Sequence, residues 1–294
     1  MNKISLIGYG SWGKALLKLI SIANPKAEII LCTRQNISNI EPRILITDDI
    51  VQAATADITI IATRAQEISR IVSTFNEHAI KANTVIITSK GFSNDGKLLS
   101  EAISNSILGD VMMLSGPNFA SEILNDKLTI ATLAGVNAIQ YKALFETDFF
   151  KVQLCNDIIG VQVCSIMKNV FAIGCGIVFG GFNSDNTKAA FIIKAFNELI
   201  AIIEIFGGSS STIYTPAGIG DLILTCYSNN SRNYEYGEKF IKQIPESEIN
   251  TVEGYGSLMI LQRYFNEKML LSKGIYDLLN HQISLKEFGQ IILS

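Results

Sequence analysis

Histidine is nearly missing from this chain: His78 and His281 are the only two in 294 residues. The five cysteines (Cys32, Cys155, Cys164, Cys175 and Cys226) contain no C-x-x-C pair. Zinc sites need imidazole and thiolate ligands at short spacings, so no metal is expected. Odd in number and mostly set in apolar runs, these cysteines read as reduced thiols filling core positions in a cytoplasmic protein. Proline is scarce at five, and charged residues make up 17% against 48% hydrophobic, which excludes a disordered or collagen-like chain. Lysine and arginine number 24 against 27 acidic residues, a net charge of −3, and they gather into no basic stripe. Attraction to the phosphate backbone drives nucleic-acid binding, so DNA and RNA are not expected partners. A signal peptide is not expected either, because Lys3 leads straight into Ile4-Ser5-Leu6-Ile7.

What remains is a 32.2 kDa chain with mean hydropathy +0.30, large enough for two ordinary domains. From Ile158 to Phe182 there is one charged residue, Lys168. That stretch is long enough to cross a bilayer, but lipid would oppose a central lysine by roughly 2.5–3.5 kcal/mol. It is expected to be buried in protein, with no transmembrane segment.

The first half alternates short β-rich runs with amphipathic stretches. Strands are expected at Lys3–Ile7, Glu28–Cys32, Ile58–Ala62, Thr84–Thr88, Val111–Leu114, Leu128–Leu133 and Val152–Leu154. Helices are expected at Trp12–Ile22, Ala65–His78, Lys97–Ile107, Pro117–Leu124 and Ala138–Glu146. This alternation predicts βαβ units and a mostly parallel sheet. After about Cys155 the pattern turns helical, over Ile158–Phe179, Lys188–Phe206, Arg232–Gln243, Ser257–Asn266 and Ser272–Asn280. An α/β domain over 1–155 is therefore expected, followed by an all-α domain over 156–294.

Gly8-Tyr9-Gly10-Ser11-Trp12-Gly13 follows the first strand and opens the first helix. In that context the glycines allow a tight turn, close approach of backbone to a pyrophosphate, and helix–strand packing, which predicts a Rossmann-type dinucleotide site. The helix N-terminus offers unpaired N–H groups and a positive dipole end to the phosphates. The second strand ends Leu31-Cys32-Thr33-Arg34, without the acidic residue that holds the ribose of NAD; Glu28 lies too early. Arg34 either receives the 2′-phosphate of NADPH, the reading preferred here over NADH, or is a solvated surface arginine.

Lys168 sits in Val161–Ile173, apolar on nearly every side. A buried ammonium costs several kcal/mol of hydration unless paired. Burial also eases loss of its proton near neutral pH, which suits a general acid. Alternatively its stem snorkels to solvent. Asp221, in Gly218-Ile219-Gly220-Asp221-Leu222-Ile223-Leu224-Thr225-Cys226, is another lone charge among apolar residues. It is either the partner of Lys168 or a helix N-cap. Next comes Ser228-Asn229-Asn230-Ser231-Arg232-Asn233, which reads as a capped helix start beside an arginine, hence a phosphate seat, or as an ordinary polar loop. Ser89-Lys90-Gly91 and Ser115-Gly116-Pro117-Asn118-Phe119-Ala120 end two strands, where open α/β sheets bind ligands; Pro117 suits a first helical turn.

Together these segments resemble the bacterial NAD(P)-dependent sn-glycerol-3-phosphate dehydrogenase family, in order and over nearly the whole chain. The shared motifs are the G-x-G-S-W-G loop, the lysine–glycine turn at Lys90, S-G-P-x-F-A, the L-K-N-V type lysine helix, G-x-G-D-L-x-L-T-C, S-R-N, and Val252-Glu253-Gly254. The resemblance implies reversible reduction of dihydroxyacetone phosphate to sn-glycerol 3-phosphate, feeding glycerophospholipid synthesis, with Lys168 as general acid/base. It implies that Asp221 and Thr225 orient that lysine or bind substrate, that Arg232 and Asn233 hold substrate phosphate, and that Lys90 touches cofactor and substrate. Gly116, Asn118 and Ser231 would line the substrate site. Gly8, Gly10, Ser11, Trp12, Gly13, Arg34, Ala120, Arg232 and Glu253 would contact the dinucleotide, and a homodimer would be common. Three departures stand out: Asn118 for serine or threonine, Thr215-Pro216-Ala217-Gly218 for F-x-G-L-A-G, and a short chain. Two rival readings are another lysine-using Rossmann dehydrogenase, of the 3-hydroxyacid or 6-phosphogluconate type, and a non-catalytic dinucleotide sensor.

Overall fold

The computed structural model describes residues 3–38, 40–228, 231–244 and 252–294. The chain divides into two compact units, Met1–Ile158 and Ile159–Ser294.

In the first unit, eight strands form one sheet in the order β3-β2-β1-β4-β5-β6-β7-β8. They are β1 (Lys3–Ile7), β2 (Glu28–Cys32), β3 (Ile44–Thr47), β4 (Ile58–Ile61), β5 (Thr84–Ile87), β6 (Val111–Ser115), β7 (Thr129–Ala134) and β8 (Phe150–Cys155). Every pairing is parallel except β6 with β7. β4 and β5 are buried at all positions, as expected for parallel strands covered on both faces. The order reverses between β1 and β4, the place where such sheets open a ligand crevice. Helix α1 (Ser11–Ala23) starts at that point and packs Leu16, Leu19 and Ile20 into the core with Ile4 and Leu6. The other helices here are α2 (Ile50–Ala53), α3 (Ala65–Glu77), α4 (Leu99–Ser104) and α5 (Ala120–Leu124).

Several local expectations are corrected. Strand β3 was not anticipated, because only four residues after Pro42-Arg43 carry its signal and it lies at the sheet edge. The stretch expected as a helix over Ala138–Glu146 is a tighter 3-10 segment, Ala138–Leu144. Pro117 lies ahead of α5, which begins at Ala120.

In the second unit, α6 (Ile158–Phe182) is the central helix, buried continuously from Gly160 to Val178. It meets the length and hydropathy requirement for a membrane span, yet 89% of its most apolar window is covered by protein. It is a core helix. Around it lie α7 (Asp185–Ile205), α8 (Asp221–Tyr227), α9 (Arg232–Ile241), α10 (Glu253–Leu261), α11 (Leu270–Leu279) and α12 (Leu285–Leu293). Helix α12 was not foreseen, although Ser284 and Glu287 form a reciprocal capping box at its start. Backbones of α6 and α9 approach closely at Gly176, where an added Cβ would lie 2.0 Å from the carbonyl oxygen of Tyr234.

A buried carboxylate ties α7 to α11. Glu198 accepts from the backbone N–H of Leu271 at 2.6 Å and Ser272 at 2.8 Å, and from the Ser272 hydroxyl at 2.5 Å. It therefore caps a helix whose own N-cap, Met269, offers no side-chain acceptor. Burial raises the Glu198 pKa above its ordinary 4.5 despite these donors. The native state then holds this proton at pH values where the unfolded chain has released it, so stability falls as pH rises above about 4.5. Glu198→Gln cannot ionise. Melting temperatures of both proteins across pH 4–7 should show wild type losing ground to the variant as pH rises; a constant difference would refute this.

Candidate active site

The first unit carries a glycine turn shaped for close approach to its backbone. Gly8 has φ +107°, which disfavours a side chain, and a Cβ there would lie 2.7 Å from the Ala62 carbonyl oxygen. A Cβ on Gly13 would come within 2.2 Å of the Gly8 carbonyl oxygen, so α1 can start here only on a bare glycine. At Gly10 nothing lies within 4 Å of that position: the backbone faces open space. Gly10 is also the N-cap of α1 and supplies no side-chain acceptor, so the first-turn N–H groups beginning at Ser11 are available to an anion.

A cavity of about 510 Å³ adjoins the turn, lined among others by Gly8, Gly10, Arg34, Asp48, Arg64 and Arg70. Arg70 pairs with Glu67 at 3.0 Å. Cys32, on the same wall, has its pKa pushed up to about 11, chiefly by burial, so it stays a thiol at neutral pH. The Trp12 indole N–H is buried without a hydrogen-bond partner, as are the hydroxyls of Ser89 and Ser115 just after β5 and at the end of β6. Bare backbone and arginines around the cavity, with an unsatisfied indole N–H in the first turn of α1, fit an NAD(P) dinucleotide.

Other expected residues of this unit lie at strand ends. Lys90 is half-buried after β5, ahead of Gly91 at φ +130°. Gly116 is buried after β6, and Ala120 is the first residue of α5. The Asn118 amide N–H groups are engaged, donating to Thr129 Oγ1 at 2.7 Å and the Ile130 carbonyl at 3.0 Å. In place of a hydroxyl residue, Asn118 thus fastens its loop to β7.

The second unit carries a polar cluster inside an apolar shell. Lys168, 7% exposed, donates from Nζ to Asp221 Oδ1 at 2.5 Å, and Asp221 is 1% exposed. Lys168 does not snorkel, and Asp221 is not an N-cap, since Gly220 holds that position. Thr225 Oγ1 donates to the Asp221 carbonyl at 2.6 Å and lies 3.3 Å from Oδ1, one turn along α8. The unusual Thr215–Gly218 stretch makes the turn that aims Asp221. Thr215 caps it by accepting from Gly218 N–H at 3.3 Å, Pro216 occupies its first position, and Gly218 leaves helical geometry at φ −82°, ψ −106°.

Ser231 caps α9 by accepting from Tyr234 N–H at 3.3 Å. Arg232 is exposed at the first position of that helix. Asn229 and Asn230 lie outside the described residues. Asn233 donates to Asn169 Oδ1 at 3.1 Å and accepts from Gly254 N–H at 2.9 Å, so its carboxamide is committed within the fold. Asn169 in turn donates to Glu253 Oε2 at 3.3 Å, joining α6, α9 and α10. Asn169 and Arg64 belong to these constellations and were not singled out by sequence. For Asn169 a signal existed, its adjacency to Lys168.

The family model described as NAD-dependent glycerol-3-phosphate dehydrogenase N-terminus matches residues 3–140, and that of the C-terminus matches 157–290. The glycerol-3-phosphate dehydrogenase [NAD(P)+] of Neorickettsia sennetsu is 30% identical over 294 aligned residues, covering 92% of this chain and 87% of its own. Its counterpart from Wolbachia pipientis wMel is 31% identical, with 99% of each chain covered. The crystal structure of glycerol-3-phosphate dehydrogenase from Coxiella burnetii, at 22% identity, superposes with a TM-score of 0.86 over 100% of this chain and 99% of that one, which shows a shared fold. With both halves matched in order, the chain belongs to the NAD-dependent glycerol-3-phosphate dehydrogenase family.

Proposed function

We propose that this chain reduces dihydroxyacetone phosphate to sn-glycerol 3-phosphate, reversibly, with Lys168 as the acid/base. The observation that carries this reading is the Lys168–Asp221 pair, an ammonium and a carboxylate sequestered 2.5 Å apart with Thr225 beside them. A sensor that merely bound a dinucleotide would have no use for such a pair. NAD(P)H, when bound, supplies the hydride, and the Gly8–Gly13 turn with Ser11, Trp12 and Arg34 would hold it.

Lys168 hydrogen-bonds the ketone oxygen and passes it a proton as negative charge develops there. Asp221 fixes the direction of the ammonium and stabilises its charged form, and Thr225 fixes Asp221. In the oxidative direction the same nitrogen takes the alcohol proton back. Substrate phosphate is held by Arg232 and by the first-turn N–H groups of α9, where the dipole favours an anion. Asn233 contributes its backbone N–H, because its side chain is bound to Asn169 and Gly254. Five free thiols fit a reducing compartment such as the cytoplasm.

The direct test follows absorbance at 340 nm with dihydroxyacetone phosphate, a 3-hydroxyacid and 6-phosphogluconate, and with each nicotinamide. Turnover of the triose phosphate alone supports the proposal; turnover of a carboxylate substrate in its place overturns it. Arg34 decides the nucleotide. Losing a charge-assisted bond to the 2′-phosphate costs roughly 1.5–3 kcal/mol, so Arg34→Ala should lower kcat/KM for NADPH by about 10- to 100-fold. NADH should be affected less than about threefold, having no 2′-phosphate to lose. Equal losses with both would remove Arg34 from the discriminating role.

A further inference from the structure

Lys188 is a second buried lysine that the reaction above does not use. It lies one turn into α7, only 7% exposed, and among the described residues no carboxylate stands within 4 Å of its nitrogen. Its position is unfavourable for α7 itself, since the first turn of a helix repels a cation. What surrounds the ammonium is aromatic: the ring centroids of Tyr227, Tyr234 and Phe179 lie at 4.3, 5.1 and 5.4 Å. Ring faces attract a cation, and more strongly once it is shielded from water.

The three rings come from three helices. Phe179 is near the end of α6, Tyr227 is the last residue of α8, and Tyr234 is in the first turn of α9. Tyr234 is also the residue whose N–H is capped by Ser231, next to Arg232. Phe179 and Tyr234 pack against one another at 6.1 Å. The cage therefore links the helix bearing Asp221 and Thr225 to the start of the helix bearing Arg232. Both ammonium groups, Lys188 and Lys168, act on the Cys226 thiol of α8, which a hydrogen bond with Cys175 and burial nevertheless keep protonated.

We propose that Lys188 is a positioning residue: its caged ammonium pins the end of α8 to the first turn of α9, and so holds Arg232 and the α9 N–H groups in one phosphate-binding geometry. The proposal rests on the reading that α9 receives the substrate phosphate. A hydrophobic residue of equal length would fill the same space but lose the attraction to the rings, so charge and volume are separable.

The test compares Lys188→Met, Lys188→Arg, Tyr227→Leu, Tyr227→Phe and Arg232→Ala in steady-state assays with dihydroxyacetone phosphate, with inorganic phosphate as competitive inhibitor. Lys188→Met should raise KM for the substrate and Ki for phosphate about tenfold, equivalent to about 1.4 kcal/mol, with kcat changed less than about threefold. Lys188→Arg keeps a cation that stacks on rings and should restore both constants. Tyr227 is 53% exposed, so its variants fold even where Lys188→Met does not. Tyr227→Leu should raise both constants in the same direction and Tyr227→Phe should not. An unchanged KM in Lys188→Met and in Tyr227→Leu, or an arginine variant as impaired as the methionine one, overturns the proposal. If Arg232→Ala also leaves KM unchanged, the phosphate seat itself is misassigned. If only Arg232→Ala raises it, the seat stands and Lys188 has no part in it.

Discussion

Lys168→Ala is expected to reduce kcat with dihydroxyacetone phosphate by at least about 10³-fold while NADPH still binds with its affinity unchanged within about threefold. A positioned proton donor contributes typically 10²–10⁴-fold, and this one also places positive charge where the ketone oxygen becomes negative. The Gly8–Gly13 turn, Arg34 and Ala120 belong to the first unit, and Arg232 and Glu253 are left in place, so the variant removes none of the residues assigned to the dinucleotide. The structural consequence must be separated from the chemical one. Asp221, 1% exposed, would be left buried without its cation, and breaking such a pair costs about 3–5 kcal/mol. Lys168→Met combined with Asp221→Asn removes both charges and should recover most of the melting temperature. It should recover none of the activity. Nicotinamide fluorescence titration, calorimetry and initial rates together decide the matter. Rates above a tenth of wild type in Lys168→Ala would leave the proposed acid without a role.

Arg232→Ala is expected to raise KM for dihydroxyacetone phosphate by about 100-fold, with a smaller fall in kcat. Arginine pairs with phosphate through two charge-assisted hydrogen bonds, and at the start of α9 its guanidinium adds to the helix dipole. Binding energy from a non-reacting group also orients the carbon that reacts, which is why kcat falls too. Unphosphorylated dihydroxyacetone gives the sharpest check. Lacking the anion, it should be handled as poorly by wild type as by the variant. A variant impaired equally with both substrates would show that Arg232 serves the fold or the dinucleotide instead. Arg232→Lys should recover part of the loss, since it keeps the charge without the planar fork.

The glycine turn was legible because its geometry is local. Gly8, Gly10 and Gly13 are needed for a positive φ, for exposed backbone and for contact between neighbouring elements, and all three requirements arise within six residues. Lys168 and Asp221 were legible for another reason: a charge inside a long apolar run must find a partner, wherever in the chain that partner is. The capped start of α9 was similarly plain from Ser231 and the residues after it. Side-chain allegiance was not. Asn118 and Asn233 stand in the motifs as candidate ligands; the folded chain adds that the Asn118 amide N–H groups bond to β7 and that the Asn233 carboxamide joins α6 to α10. Amides can hydrogen-bond almost any neighbour, so only the neighbours decide which bond forms.

Strand direction and aromatic cages belong to the same class. Periodicity marks β6 and β7 as strands but does not say that they run antiparallel, since alternation of side chains is the same in both directions. Lys188 follows Ser184-Asp185-Asn186-Thr187 and so reads as part of an exposed helix start; its three rings come from positions 179, 227 and 234. Thus composition and spacing alone settled the two kinds of architecture, the glycine turn and the need for a counter-ion to Lys168, because strain and desolvation are penalties a short segment carries with it. The tertiary structure decided which polar side chains remain available to a ligand and what encloses Lys188. Those outcomes depend on contacts between residues tens of positions apart, and no local energy term anticipates them.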